Sequence, residues 1–584
     1  MSDKDMNCFL LPSPKHLRSL PNTAFSSEDT AIQFLSDPEL PAEGYRLRVD
    51  EAGLVIASAD PAGEFYGRQT FAQLKRQFPR GIPSMEIEDA PDVAVRGLYH
   101  DVTRGEVPTL DTLKELATMC AHYKLNQLQL YVEHTYAYKA FPEVWADADP
   151  LRAEEILELD AFCAERFIEL VPSFSTFGHF YPFIHTPRFQ HLNELERDVS
   201  GEGFNWFDRM QHYTLDCQNP ESLALVETLI EEVRPLFRSS YFNICADETF
   251  DLGKGKNRDQ AEDVGKGRLY IDFVQKVLGI VRKQGATPMM WGDIVATYPE
   301  LASELDQDVV LLDWNYAPEP ACSKHLIESR RPFYVCSGTQ TWNRFLPPMR
   351  EAYQNITRLN RAGIDGGCKG CLITNWGDFG HIGMLSLAYP GILMGAAASW
   401  NLTAAETDEE GLYETISRLE FGDASGRLVG LLAELASLKD PFDCLWRSLS
   451  FWLQDRSKDM PDDWFEAESG LPNMFVEIPS DTYAGLAQRL RDGRSEIAEI
   501  LETAAPRDTQ SLEEIRQSID LSILLLDAAV FLHERRQEPA LDSGDLCRRL
   551  EKGRALWKEQ WMSRNKASEF YRIEDVMKAL IHAL

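Results

Sequence analysis

VAVRGLYHDVTRGEVPTLDTLKELATMCAHYKLNQLQLYVEH (93–134) is the stretch on which the fold turns. It opens on an apolar, β-favouring run. TLDTLKELATMCAHY then places Leu113, Leu116 and Cys120 on one helical face, and NQLQLYV returns to strand. Strand, crossover helix and strand make the repeat of a parallel sheet. The alternation continues to about residue 400, with further strands expected at IELVPSF, YFNICADE, PMMWGD, VVLLDWNY, PFYVCSG and CLITNW. Eight strands alternating with helices predict an α/β fold, a (β/α)8 TIM barrel spanning 92–404. The rival is a doubly wound open sheet. That fold usually carries a Gly-rich turn after its first strand, and none follows here.

Outside this span the pattern changes. GYRLRV (44–49) and GLVIASA (53–59) read as paired strands around an acidic turn. PAGEFYGRQTFAQLKRQF (61–78) reads as a helix with an apolar stripe through Phe65, Phe71 and Leu74, and GIPSMEIEDAPD as a Pro-containing link. Residues 1–91 are therefore expected to form a small α/β accessory domain. Beyond 405, GLYETISRLEFG, LLAELASLK, TYAGLAQRLRDGRSEIAEILETA, SLEEIRQSIDLSILLLDAAVFLHERR and DLCRRLEKGRALWKEQW read as amphipathic helices, giving an α-helical C-terminal domain over 405–584. Its apolar stripes serve core and domain contact, with a homodimer as the sharper alternative.

A chain of 584 residues exceeds one ordinary core. Hydrophobic residues make up 44% and charged residues 26%, the profile of a folded protein. The net charge of −34 argues against nucleic acid, whose phosphates select clustered Lys and Arg, and against an anionic membrane surface. No apolar run reaches the roughly 18 residues that span a bilayer. MSDKDMNCFLLPSPKH lacks the pattern of a secretory leader, and the 11 cysteines are scattered. Reduced thiols in a cytoplasm are the expectation.

The expected strands end in Asp101–Arg104, Glu133–His134, His179, Asp247–Glu248, Trp291–Asp293, Trp314–Tyr316 and Trp376–Asp378. Chemistry in a TIM barrel sits at the C-terminal ends of its strands. In ICADETFDLGKG (244–255) an apolar run leads into two adjacent acids, which suits acid/base work with separated pKa values. Taken alone, the dipeptide is more simply a surface acidic pair or a helix cap. Most glycosidases place two carboxylates about 5–5.5 Å or about 6.5–9.5 Å apart around the sugar. Consecutive strand residues tend to point to opposite faces, so this pair is a poor nucleophile–acid couple. It suits a reaction in which one residue protonates the leaving oxygen and its neighbour orients a nucleophile belonging to the substrate.

At this point a resemblance enters. ADE after an apolar strand resembles the Asp-Glu signature of glycoside hydrolase family 20, the β-N-acetylhexosaminidases. VRGLYHDVTRGEVP (95–108), HYKLNQLQLYVE, VPSFSTFGH (171–179), MMWGD and NWGD resemble successive strand ends of that family. EGYRLRVDEAGLVIASADPAGEFYGRQTFAQL resembles its accessory domain. The resemblance implies Glu248 as general acid/base. It implies Asp247 as the residue that holds the 2-acetamido N–H and stabilises an oxazolinium. Arg104 would bind the 3- and 4-hydroxyls, and Asp378 the 4- or 6-hydroxyl. Trp291, Trp314 and Trp376 would wall the pocket. No cofactor or metal is implied. The partner is a small-molecule or oligosaccharide substrate ending in β-linked N-acetylhexosamine.

The departures are specific. Asn243 stands where the family commonly has His, and Ser175 where an acid usually precedes the Gly-His, leaving Glu133 to orient His179, with Glu133 and His179 both counted among the substrate-binding residues. Glu133-His134-Thr135 replaces an acidic pair. The usual seventh-strand Tyr is missing from CSGTQTWNR, where Trp342 is the nearest aromatic and Tyr316 the substitute hydroxyl. This pattern is closer to the intracellular hexosaminidase D-like branch. CKGC (368–371) lacks a second Cys pair for zinc. Cys245 reads as strand packing, GKGK (253–256) as a loop, and His122 and His134 as satisfied polar residues. Asn355 and Asn401 begin sequons that matter only in a secreted protein. Two other functions stay open: a barrel hydrolase for another hexosaminide or an unacetylated sugar, and a glycan-binding protein on a decayed barrel.

Overall fold

A computed structural model describes residues 8–20, 32–51, 53–293, 297–441, 445–447, 449–450, 478–534 and 541–584. Residues 1–7, part of the stretch read for a leader, and Arg535–Arg536 of one expected helix lie outside the described residues.

The chain begins with a five-stranded sheet of β1 (His16–Ser19), β2 (Ile32–Ser36), β3 (Tyr45–Asp50), β4 (Gly53–Ser58) and β5 (Met85–Asp89), ordered β1-β5-β3-β4-β2. β3 and β4 pair antiparallel, as expected. The expected link 81–92 is corrected: it contains β5, which pairs with β1 and β3. Its buried residues alternate, Met85, Ile87 and Asp89 facing in, and that short alternation was hidden among acids and prolines. The helix Pro61–Gln77 is capped by Asp60, whose carboxylate accepts from Gly63 N. Its inward face also needs correction. Tyr66, Gly67, Thr70, Gln73 and Leu74 are buried, whereas Phe65 and Phe71 are half-buried. Tyr66 wins that place because its ring meets Trp400 at 5.3 Å.

The expected eight strands close a parallel barrel: β6 (Val95–Asp101), β7 (Gln127–Val132), β8 (Glu169–Phe174), β9 (Tyr241–Asn243), β10 (Thr287–Trp291), β11 (Val310–Trp314), β12 (Phe333–Gly338) and β13 (Gly370–Asn375). β13 returns to pair with β6. Tyr99, Tyr131, Val171, Met289, Leu312 and Leu372 belong to one buried cluster built from successive strands, a packed barrel interior. Among the described residues, named helices follow β6, β7, β8, β9, β11, β12 and β13. After β10 the described residues form a 3₁₀ turn at Pro299–Glu304. In the helix Leu110–His122, Leu113, Leu116 and Cys120 are buried as the spacing predicts.

The helix Leu385–Trp400 is apolar on every side and buried at all 16 positions. It packs on β13 and β6 and also on the helix Ser511–Glu534. Helices fill the C-terminal region as expected, among them Phe570–Ala583, which the sequence reading did not pick out. Among the described residues no helix is long and apolar enough to cross a membrane. Both sequons are buried: Asn355 donates to Asn315 O and Ala317 O (2.8 and 2.7 Å), and Asn401 caps a helix.

Candidate active site

The pocket lies where the barrel's C-terminal strand ends converge. Arg104, Met210, His212, Asp247, Glu248 and Asp378 line it together with Trp291, Trp314, Tyr316, Trp342 and Trp376, around a cavity of about 190 Å³. Nine of the expected residues are therefore brought together. Glu133 and His179 are placed differently: both are buried behind the lining, within reach of Arg104 and the acid pair. Their expected direct contact with substrate becomes a supporting position.

Asp101 at the end of β6 sets the first wall. Its carboxylate accepts from Thr103 N (2.9 Å), Arg104 N (3.2 Å) and Gly377 N (3.0 Å), tying the loop after β6 to the loop after β13. Arg104 Nη1 then meets Asp378 Oδ1 at 2.7 Å, and the guanidinium lies 5.3 Å from both the Tyr131 and Trp376 rings. The aromatic wall is continuous. Trp314 stacks on Tyr316 at 5.4 Å, Tyr316 meets Trp342 at 5.1 Å, and Trp291 meets Trp376 at 5.8 Å. The Tyr316 hydroxyl accepts from Trp376 Nε1 at 2.6 Å, which fixes both rings.

The acid pair does not sit on a strand, and this corrects the alternation argument. β9 ends at Asn243, whose amide donates to Gln129 Oε1 (3.1 Å) and whose oxygen accepts from Cys245 N (2.9 Å). Beyond it Cys245 (φ 56°), Ala246 (φ 64°) and Glu248 (φ 48°) occupy the left-handed region. Such strain in non-glycine residues gathers at functional sites. It turns both carboxylates toward one imidazole: His179 Nε2 is 3.3 Å from Asp247 Oδ2 and 3.6 Å from Glu248 Oε2.

On its other side, His179 Nδ1 is 3.3 Å from Arg104 Nη2 and 3.7 Å from Glu133 Oε1. An arginine can only donate, so Nδ1 accepts and Nε2–H points at the acids. Burial, then His212 and Arg104, hold His179 well below the usual histidine range, so the ring is neutral. Glu133 pairs with Arg209, and Ser175, standing where an acid was missing, donates to Tyr131 Oη at 3.0 Å. The Tyr131 hydroxyl in turn donates to Glu133 Oε1 at 2.9 Å.

His212 was missed by sequence reasoning. Its Nε2 lies 3.0 Å from Glu248 Oε2, and its ring centroid 4.0 Å from that of His179. It arrives on the long connection between β8 and β9, where His212 (φ 69°) and Tyr213 (φ 50°) both occupy the left-handed region. His179, His212 and Glu248 are the described residues whose ligand-type atoms lie within 4.8 Å of one another. Asp247 is pushed up to about 7 by burial and by the neighbouring Glu248 charge. In Glu248 burial acts in the same upward direction, but His212, His179 and Arg104 outweigh it and hold that carboxyl down. The pair thus keeps one proton above the ordinary carboxylate range, with Asp247 the member pushed up and Glu248 the member held down.

Aromatic faces for C–H surfaces and charged groups for hydroxyls are what a pyranose ring requires. Fold and pocket together define a (β/α)8 barrel with an acid pair at the mouth of a sugar-type cavity. Two family models match: "Glycosyl hydrolase family 20, domain 2" over residues 10–90, and "Glycosyl hydrolase family 20, catalytic domain" over residues 94–341. The chain belongs to glycosyl hydrolase family 20. The Beta-hexosaminidase of Akkermansia muciniphila is 28% identical over 315 residues, covering 48% of this chain and 61% of that protein. Hexosaminidase D of Homo sapiens is 23% identical over 328 residues, covering 52% of this chain and 65% of that protein. The chain thus spans less than two thirds of either relative. The solved chitobiase of Flavobacterium johnsoniae shares the fold with a TM-score of 0.59 at 16% identity, over 100% of each chain.

Proposed function

We propose that this protein is a glycoside hydrolase that removes terminal, non-reducing β-linked N-acetylglucosamine or N-acetylgalactosamine from glycans. The reaction retains configuration and uses the substrate's own acetamido group as nucleophile. One observation carries this reading: two sequence-adjacent carboxylates converge on a single neutral imidazole inside a tryptophan-walled pocket. Asp378, the third carboxylate in the lining, is held by Arg104.

In this reading the acetamido N–H donates to Asp247, which requires Asp247 to be ionised. The single proton of the pair then belongs on Glu248, the general acid. The acetamido oxygen attacks the anomeric carbon as the glycosidic C–O bond breaks, and Glu248 gives its proton to the leaving oxygen. Asp247 stabilises the positive charge of the oxazolinium. Water, deprotonated by Glu248, then opens that ring at the anomeric carbon and restores the acetamide. Neutral His179 donates to Asp247 and keeps it aimed. Arg104 and Asp378 hold ring hydroxyls, Trp314, Tyr316 and Trp342 form one wall, and Trp291 and Trp376 enclose the acetamido methyl. The ten described cysteines are free, which supports a reducing, cytoplasmic setting.

Hydrolysis of aryl β-GlcNAc, β-GalNAc, β-glucosaminide and β-glucoside by the purified protein tests the reading. Turnover of the acetamido sugars alone is expected. Comparable turnover of the glucoside contradicts it and calls for a separate nucleophile.

A further inference from the structure

The segment 565–573, near the end of the chain and outside both family-matched stretches, lies across the loops that build the pocket. Asn565 bridges Pro108, and Lys566 donates from its backbone to Val107 O (2.9 Å) and from its ammonium to Pro150 O (2.9 Å). Ile573 seals Gly380: a Cβ there would stand 2.8 Å from Ile573 Cγ1 and 3.1 Å from the Trp206 ring. Gly380 in turn closes on Gly105, beside Arg104, where an added Cβ would meet Gly380 O at 2.6 Å. The loops after β6, β7, β8 and β13 are laced together by this one piece of chain.

Within the lacing is a carboxylate that the proposed mechanism leaves without a role. Glu569 has a side chain only 3% exposed, with Oε1 3.2 Å from Arg572 Nη1 and 3.5 Å from His134 Nε2. His134 Nδ1 lies 3.3 Å from Thr103 Oγ1, and that same Oγ1 accepts from Glu133 N at 3.2 Å. Glu133 pairs with Arg209 and faces both Arg104 Nε and His179 Nδ1 at 3.7 Å. A run of buried polar contacts therefore leads from Glu569 through His134 and Thr103 to the backbone N–H of Glu133, whose carboxylate faces Arg104, and Arg104 Nη2 donates to the His179 imidazole that aims Asp247.

We infer that Glu569 is a positioning residue for the acid pair, supplied to the barrel by the C-terminal helical region. This rests on reading the pocket as a hydrolase. Arg104 is pinned independently by Asp378 and Asp101, so sugar binding is kept when Glu569 changes. What loosens is His179 and, through it, Asp247, which acts as the oxazolinium forms. The loss therefore falls on kcat rather than KM.

Glu569→Gln and His134→Asn, singly and together in the full chain, test this with aryl β-N-acetylglucosaminide as probe and thermal melting as control. Each single variant is expected to lower kcat about tenfold with KM changed less than about threefold, since small displacements at a reacting centre cost rate steeply. The double variant is expected to lose no more than either single one, because both cut the same chain of contacts. A folded Glu569→Gln protein with wild-type kcat overturns the inference. So do single losses that multiply in the double variant. Should Glu569→Gln not fold, a folded His134→Asn protein with wild-type kcat has the same force. Wild-type protein inactive on every acetamido sugar removes the hydrolase reading and this inference with it, whereas an active wild type with unaffected variants removes the inference alone.

Discussion

At the scale of residues, the account rests on the single proton shared by Asp247 and Glu248. Glu248→Gln should lower kcat by about 10²- to 10⁴-fold, least for aryl groups that leave without protonation. Asp247→Asn should also fall sharply, because an amide cannot balance the oxazolinium charge; steady-state kinetics on leaving groups of graded acidity checks both. The pH dependence follows from Asp247, pushed up to about 7 by burial and Glu248. Below that value the pair carries the proton the proposed catalysis needs, and above it the proton is lost. The predicted kcat/KM is flat through mildly acid pH and falls as pH rises through about 7, with the slope of one proton. A profile still rising at pH 8 would contradict this. The acid pair and the tryptophans were legible because each closes an apolar run. His212 was not, since its 3.0 Å approach to Glu248 exists only after the loop between β8 and β9 folds back. Glu133 and His179 were found but set one layer too far forward, because sequence gives strand ends and not depth.

Among the elements, β9 is the informative one. Three residues long, it hands the chain to a left-handed turn, so the two acids share a pocket that regular pleating would have denied them. That turn is held from the side by Gly178, where a Cβ would stand 2.5 Å from Asp247 O. Gly178→Ala is therefore predicted to displace the acid pair, lowering kcat about tenfold or more, with a stability cost of about 1–3 kcal/mol. Kinetics paired with a melting curve separates the two effects, and an alanine variant with normal turnover would show that the turn has slack. The barrel strands were readable as elements since they are buried on both faces and most carry long apolar runs. β1, β2 and β5 were not: they are short, half-exposed or rich in acids, and only pairing makes them strands, β2 with β4, β5 with β3 and β1 with β5. The Phe65–Phe71 stripe misled for a related reason. The helix turns its Tyr66 side inward to meet Trp400, some 330 residues later in the chain.

Over the whole molecule, buried polar groups tie the regions to one another. Lys124, at the barrel, donates to Asp89 Oδ2 of the first sheet (3.0 Å) and to Tyr45 Oη (2.9 Å), while Trp400 Nε1 donates to Asp89 Oδ1 (2.9 Å). Removing one partner leaves a buried charge uncompensated, so Lys124→Met should cost about 3 kcal/mol or more and lower the melting temperature, with kcat per folded molecule little changed. An unchanged melting curve would mean that water already reaches Asp89. These ties were illegible in the sequence because Lys124 and Asp89 look like ordinary surface residues until the sheet meets the barrel. At the other end, Glu569 gives the helical region a part in catalysis that composition alone could not suggest. In the proposed reaction the nucleophile is the substrate's own acetamido oxygen. The most direct measurement is kcat/KM for aryl β-glucosaminides whose N-acyl group carries zero, one, two or three fluorines. The account predicts a steep fall along that series, since fluorine withdraws electron density from the attacking carbonyl oxygen; a flat series would place the nucleophile on the protein and contradict it.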